Sequence, residues 1–349
     1  MRDFNYRREA NRLLSHLSVK QIGVVRDFVG KKTIIQQNEP ELYDILHEVA
    51  LIHMVAAGVR GNGLDVPFPV IKRLIEHTAS PQNEAEDSVV RYARALSSIT
   101  NDEYTHESIM DDLLRLNSLL FYDGPYASQA LWRAHNMNFR RQTNGAKIDF
   151  AVPPYEQAQE MFQKICEEYH AIIREGIIDP FFVIPLFFVD FIAIQPFDRG
   201  SFENSRLIVA YLMHWADYGV MDVMSLEHFM QSYAGHLFQH TADSLVGWHE
   251  GKNNYQPAFD SCMYLCQEAV THFDVWMKLA PHGIPATKEI VKKIIQQYGR
   301  CMTKRMVMEF FPRLTESAIE MALYKLSKEG QIKKVSGGRY SQYIYVGVD

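Results

Sequence analysis

The run Phe181–Ile194 is apolar at almost every position, and after a short loop the segment Glu203–Leu212 is again mostly apolar. Helices that are apolar on nearly every face are buried on nearly every face, so the rest of the chain has to wrap around this central pair. Asp179, Pro180, Pro185 and Asp190 interrupt the longest such run, Ile177–Ile194, and argue against a membrane span there. The composition supplies the material to enclose the pair: of 349 residues, 47% are hydrophobic, 12% aromatic and 22% charged. That balance belongs to a folded chain and leaves no room for extensive disorder. Four cysteines are too few for a disulfide scaffold. With no N-terminal basic-plus-apolar leader, a reducing cytoplasm is the expected setting, and secreted, collagenous and membrane classes are excluded.

Amphipathic helical periodicity dominates the first 280 residues. It predicts helices over Glu41–Ala57, Val70–Glu76, Ala85–Ile99, Glu107–Leu119, Tyr155–Arg174, Leu226–Val246 and Ala258–Leu279. One hairpin interrupts them. Asn144-Gly145, a dipeptide suited to type I′ turns, separates Phe139–Thr143 from Lys147–Val152, and Pro153-Pro154 ends the pairing. From His282 onward the chain turns basic, with 12 Lys+Arg against 6 Asp+Glu, leaving 24 against 36 before it. The proline- and glycine-containing stretch Ala280–Pro285 reads as the linker. Beyond it, helices at Lys288–Tyr298, Lys304–Phe311 and Glu316–Glu329 precede strands at Gln331–Val335 and Gln342–Val346, joined through Gly337-Gly338. That order predicts a winged helix. The expected division is an N-terminal helical region over 1–105, a central helical domain over 106–280 and a winged-helix domain over 281–349.

Between the two apolar helices lies Gln195-Pro196-Phe197-Asp198-Arg199-Gly200-Ser201-Phe202. A loop feeding a helix N-terminus has the physical design of an anion site. This region resembles the Fic (Fido) family, whose loop runs His-Pro-Phe-x-(Asp/Glu)-Gly-Asn-Gly-Arg-x-x-Arg. Gly247-Trp248-His249-Glu250-Gly251-Lys252-Asn253-Asn254-Tyr255 is similar to a stretch found in many bacterial members. The hairpin resembles the family's substrate-aligning flap, here Lys147, Ile148, Asp149 and Phe150. The resemblance covers nearly the whole chain. It implies a mainly α fold with a small β-hairpin, and an activity that transfers AMP from Mg-ATP to a protein hydroxyl.

The loop departs from that pattern where the chemistry lies. Gln195 stands in place of the general-base histidine, and an amide does not titrate near neutrality. Arg199 replaces the metal-holding carboxylate; a guanidinium carries only donors and cannot ligate a metal. Ser201 and Phe202 replace the Asn-Gly pair that wraps the phosphates, and Glu203 replaces the first phosphate-binding arginine. Pro196, Phe197, Gly200 and Arg206 are retained. In related proteins an inhibitory helix ends in Ser/Thr-x-x-x-Glu-Gly/Asn, and its glutamate binds the motif's last arginine. The matching segment here, Ala56–Asn62, has Arg60 in the glutamate position. Exchange of charge at both positions predicts an ion pair between Arg60 and Glu203.

Other features carry less. His236 and His240 have the spacing of a metal pair but no third ligand, and they read as structural. Cys262 and Cys266 read as neighbours on one helix face, and His249 as a packing residue. Gly61-Asn62-Gly63 follows a helix and reads as its C-terminal cap. Arg199 and Arg206 either bind an anion at the helix start or pair with Glu203 or Asp190. In the tail, Lys325, Lys328, Lys333, Lys334 and Arg339 are the candidate contacts to DNA phosphates, whereas Glu316 and Glu320 would repel them.

Three functions follow. The first is a Fic-fold protein that has lost AMP transfer and acts through binding or regulation, with a protein target or peptide at the flap. The second is an adenylyltransferase-like enzyme with altered or residual activity. The third is a winged-helix DNA-binding regulator with a Fic sensor domain. No resident cofactor or metal is expected; ATP and Mg enter only with residual activity. A homodimer is compatible with the sequence, and a membrane partner is not expected.

Overall fold

The computed structural model describes residues 2–101, 103–104, 107–121, 132–143, 146–226, 229–230, 233–279, 286–298, 301–311, 313–336 and 341–347. Within those ranges the side chains of 143, 146, 202–203, 275–276, 278–279 and 297–298 are not described. The predicted turns Asn144-Gly145 and Gly337-Gly338, the linker and Arg339 lie outside the described residues.

The chain is mainly helical. It opens with α1 (Tyr6–Leu13), α2 (His16–Asn38), α3 (Pro40–Gly61), α4 (Phe68–Ile75), α5 (Glu84–Thr100) and α6 (Ile109–Phe121). The hairpin β1 (Asn138–Thr143) and β2 (Ala146–Ala151) follows, then α7 (Tyr155–Glu175), α8 (Ile184–Ile194), α9 (Ser201–Trp215), α10 (Ala234–Leu245) and α11 (Gln256–Leu279). Helices α1 and α2 were not read from the sequence. Leu17, Val19, Val24 and Ile34 of this region are exposed and blur the period set by the buried Ile22, Val25, Phe28 and Ile35. The helix predicted over Leu226–Val246 is also corrected. Leu226, Phe229 and Met230 are helical as expected, but the chain turns at Tyr233, and α10 starts afresh at Ala234.

Helix α8 sits at the centre as its composition requires. It contacts α7, α9, α10 and α11, and every residue from Ile184 to Ile194 except Phe188 is buried. Helix α3 meets the length and composition of a membrane span. Its apolar positions are instead consumed inside the protein. Leu42, Leu46, Ile52, Met54, Val55, Ala56 and Val59 join the main core, and Ile45 joins a second core built from the C-terminal elements.

That second core is formed by α12 (Thr287–Tyr298), α13 (Lys304–Phe310) and α14 (Glu316–Lys328) with a three-stranded sheet. The strands β3 (Met302–Thr303), β4 (Ile332–Ser336) and β5 (Gln342–Tyr345) lie in the order β3-β5-β4, all antiparallel. Helix α3 ties the two cores together. Glu48 pairs with Arg313, and His53 Nε2 lies 3.0 Å from the Phe310 carbonyl.

Candidate functional site

The site is built where α8 stops. Gln195 adopts a left-handed conformation (φ 47°) as the C-terminal cap, and its backbone N–H reaches the Phe191 carbonyl. Its side chain turns back on the same helix: Nε2 donates to the Ile192 carbonyl at 2.8 Å, and the residue is buried. The loop that follows is clamped from below by Arg133. Its guanidinium donates to the carbonyls of Gln195 (2.9 Å), Ile194 (3.3 Å), Pro153 (2.8 Å) and His135 (2.9 Å), while its backbone N–H reaches the Pro196 carbonyl. Arg133 is 2% exposed, and burial pulls its guanidinium below its ordinary pKa, with Glu156 acting the other way. One side chain thereby fixes the loop and the exit from the flap together. Nothing in the sequence marks Arg133, because its partners are carbonyls that only the fold assembles.

Phe197 locks the loop into an aromatic cluster with Phe162, Phe191 and Trp132. Its N–H donates to Ser201 Oγ at 2.9 Å. Asn117 holds the Arg199 carbonyl (3.0 Å), and Asn204 Nδ2 holds that of Gly200 (2.8 Å). Gly200 has φ 75°, and a Cβ there would come within 1.9 Å of the Phe121 ring, so glycine is required on two counts. The loop's polar groups are thus largely engaged by the protein itself. Arg199 is exposed, with its guanidinium 5.6 Å from the centre of the Phe121 ring. The side chains of Phe202 and Glu203 lie outside the described residues, and the expected Arg60–Glu203 pair with them.

Helix α3 ends beside α9. Leu64 N–H bonds the Val59 carbonyl (3.1 Å) and Gly63 N–H that of Arg60 (2.9 Å), with Gly63 at φ 80°. This is a Schellman cap, as read from Gly61-Asn62-Gly63. The cap aims Asn62 at the motif's last arginine, and Arg206 Nη2 donates to Asn62 Oδ1. The end of this helix thus meets Arg206 through Asn62, two residues beyond Arg60, which is exposed.

The flap pairs in register from Asn138 opposite Ala151 to Thr143 opposite Ala146. Phe139 and Ile148 are buried, while Lys147 and Asp149 are exposed. Arg140 and Lys147 hold the Asp149 carboxyl below its ordinary pKa. The Trp-His-Glu stretch supports the flap and the core. His249 bonds the Ala151 carbonyl at 2.7 Å and stacks on Phe150. Trp248 Nε1 (2.7 Å) and Tyr255 OH (2.8 Å) both donate to Asp190, which is fully buried with Arg2 3.9 Å away. Burial pushes the Asp190 carboxyl up, opposed by Arg2 and these donors. Asp190 is therefore engaged from the N-terminus and the Trp-His-Glu stretch. His240 bonds Ser261 Oγ at 2.6 Å. Among the described residues no group of three or more His, Cys, Asp or Glu side chains is placed to hold a metal.

A cleft of about 570 Å³ opens between these elements. Its lining includes Arg60 and Asn62 from the end of α3, Arg141 from β1 and Arg206 from α9, together with Phe188 and Ile192 of α8 and Leu237 and Phe238 of α10. Arg141 and Asn62 carried no signal as isolated letters. At the C-terminal unit, Lys304 pairs with both Glu316 and Glu320, so the repulsion expected from those carboxylates is offset locally. Lys325, Lys328, Lys333 and Lys334 are exposed.

No protein-family model matches the sequence, and no curated protein is significantly similar to it. Solved structures do share its architecture. A Fic family protein from Desulfovibrio desulfuricans G20 aligns over 96% of this chain and 98% of its own, with 13% identity and a TM-score of 0.59. A Fic domain containing signaling protein from Bacteroides thetaiotaomicron VPI-5482 aligns over 71% of this chain and 94% of its own, at 14% identity and a TM-score of 0.58. A Fic-1 variant from C. elegans aligns over 77% of this chain and 75% of its own, at 14% identity and a TM-score of 0.51. The helical body wrapped around α8, with its hairpin flap and the loop from Gln195 to Gly200, has the fold of Fic-family proteins.

Proposed function

We propose that this Fic-fold protein has lost AMP transfer and acts by binding, through the cleft bounded by the flap, the end of α3 and α9. The observation that carries the reading is Gln195. It occupies the place of the family's base, cannot titrate, and spends its amide N–H on the Ile192 carbonyl. Loss of a general base typically costs about 100- to 10,000-fold. Arg199 adds to the deficit, because its exposed guanidinium offers no lone pair to a metal.

The expected result with Mg-ATP labelled at the α-phosphate is no transfer to the protein itself or to a cell lysate. Robust labelling that disappears in Arg206→Ala would overturn the reading in favour of residual enzymatic activity. Gln195→His alone is also expected to stay silent in the same assay. The base would return, but no metal ligand stands at Arg199, and metal charge stabilisation is worth several kcal/mol in such chemistry. Efficient transfer by that single variant would show the metal argument to be wrong.

A second reading, a sensor domain coupled to a DNA-binding tail, is favoured by α3. One end of this helix bonds Arg206 at the cleft, and its flank carries Ile45, Glu48 and His53 into the C-terminal unit. Exposed Lys325, Lys328, Lys333 and Lys334 would contact phosphates there. A gel-shift titration against salt tests it. A steep fall of affinity with salt supports DNA binding, and no shift at low salt removes it.

A further inference from the structure

The cleft is two-sided in its chemistry. Its volume of about 570 Å³ falls within the roughly 300–1,000 Å³ of small-molecule sites. Three guanidinium-bearing residues, Arg60, Arg141 and Arg206, reach it from three separate elements, and none of the described residues lining it is acidic. Arg60 has no ion-pair partner among the described residues. Phe188, Ile192 and Leu237 make another part of the lining apolar. Behind it lies a second, smaller cavity of about 30 Å³, whose lining includes Pro185, Cys262 and Leu265. The two cavities share Phe188, Met230 and Leu237 as common walls. A methionine such as Met230 at such a partition repacks readily.

We propose that the cleft binds a single-headed anionic amphiphile. Its phosphate or carboxylate would sit among Arg60, Arg141 and Arg206, and its unbranched apolar tail would run along α8 and α10 toward the cavity behind Leu237. This rests on the binding reading above, and it names the ligand class for that site. Guanidinium forks bind phosphate and carboxylate in paired hydrogen bonds, which accounts for arginine at all three positions. The apolar wall adds burial for a hydrocarbon chain.

The test is calorimetric titration of the full chain with octyl phosphate and octanoate below their micelle concentrations. Octyl glucoside (the same tail, no charge), inorganic phosphate (the head alone) and ATP serve as comparison ligands. Octyl phosphate or octanoate is expected to bind at least about tenfold more tightly than either half-ligand. Arg60→Ala should weaken it by at least about tenfold, with partial retention in Arg60→Lys. Leu237→Glu should abolish the tail's contribution and reduce octyl phosphate to the affinity of inorganic phosphate. The two headgroups in parallel separate a phosphate ligand from a carboxylate one. Sedimentation with phosphatidic acid vesicles separates a bilayer-held source from a free one.

Equal affinity for octyl phosphate and octyl glucoside would overturn the proposal, as would an Arg60→Ala variant that melts like the parent and binds like it. Tighter binding of ATP than of any amphiphile would return the cleft to nucleotides. The same preparation is assayed for AMP transfer: absence of both transfer and amphiphile binding removes only the ligand class, whereas transfer removes the binding reading itself.

Discussion

Replacing Arg133 with methionine is expected to destabilise the protein by about 3–5 kcal/mol, although the side chain touches no part of the cleft. Methionine fills much of the volume but donates nothing. The carbonyls of Gln195, Ile194 and Pro153, all on buried or half-buried residues, would lose their guanidinium donor at once. Each buried acceptor left unmade costs about 1–3 kcal/mol. Arg133→Lys should fall between parent and methionine variant, because an ammonium cannot span acceptors spread over two segments. Urea unfolding measures the loss. Hydrogen exchange at Gln195 and Phe197 checks its location, because release of the clamp should speed exchange there before the core responds. A loss below about 1 kcal/mol would mean that the loop holds itself.

The second large effect is expected at Asp222, remote from the loop. Lys32 Nζ of α2 lies 2.6 Å from its Oδ2, and His214 Nδ1 of α9 lies 3.2 Å from its Oδ1. The ring of His47 on α3 bonds its backbone carbonyl at 2.8 Å. Both ends of the lysine–aspartate pair are under 10% exposed. Asp222→Ala leaves the Lys32 ammonium buried without its counter-charge, for a cost of about 3–5 kcal/mol. Lys32→Met combined with Asp222→Ala should recover most of it, because no unpaired charge remains.

The pH dependence has a definite sign. Burial alone would raise the Asp222 carboxyl, but the His214 hydrogen bond and the Lys32 charge outweigh it, and its folded pKa lies below the ordinary value. Tyr43, on α3 with His47, is a further titratable group near it, and stays neutral because burial and the Asp222 charge push it up to about 12. A depressed carboxyl stabilises fully above its unfolded pKa of about 3.9 and loses that contribution as pH falls through the folded value. The stability gap between parent and Asp222→Ala should therefore narrow as pH falls below about 4. A gap that widens on acidification would contradict the assignment.

What the sequence determined by itself was everything that depends on local pattern. The all-round apolarity of Phe181–Ile194 required a central buried helix, and α8 is one. Alternation along Lys147–Phe150 put Ile148 inward and Lys147 and Asp149 outward. The glycines after α3 specified a cap, and Gln195 and Arg199 stood out as letters that depart from the pattern the loop resembles. Local pattern failed where burial is shared among distant segments. The period of α2 is hidden by exposed apolar residues, and the helix read over Leu226–Val246 is broken by a turn at Tyr233. The contacts that organise the site were decided only by tertiary structure. Arg133 reaches carbonyls about 20 and about 60 residues away in the chain, and Asn62 meets Arg206 across 144 positions. The Asp190 network joins Arg2, Trp248 and Tyr255 from segments far apart in the chain. A buried charge or carbonyl must find its partner wherever packing delivers one, and no spacing in the sequence encodes that meeting.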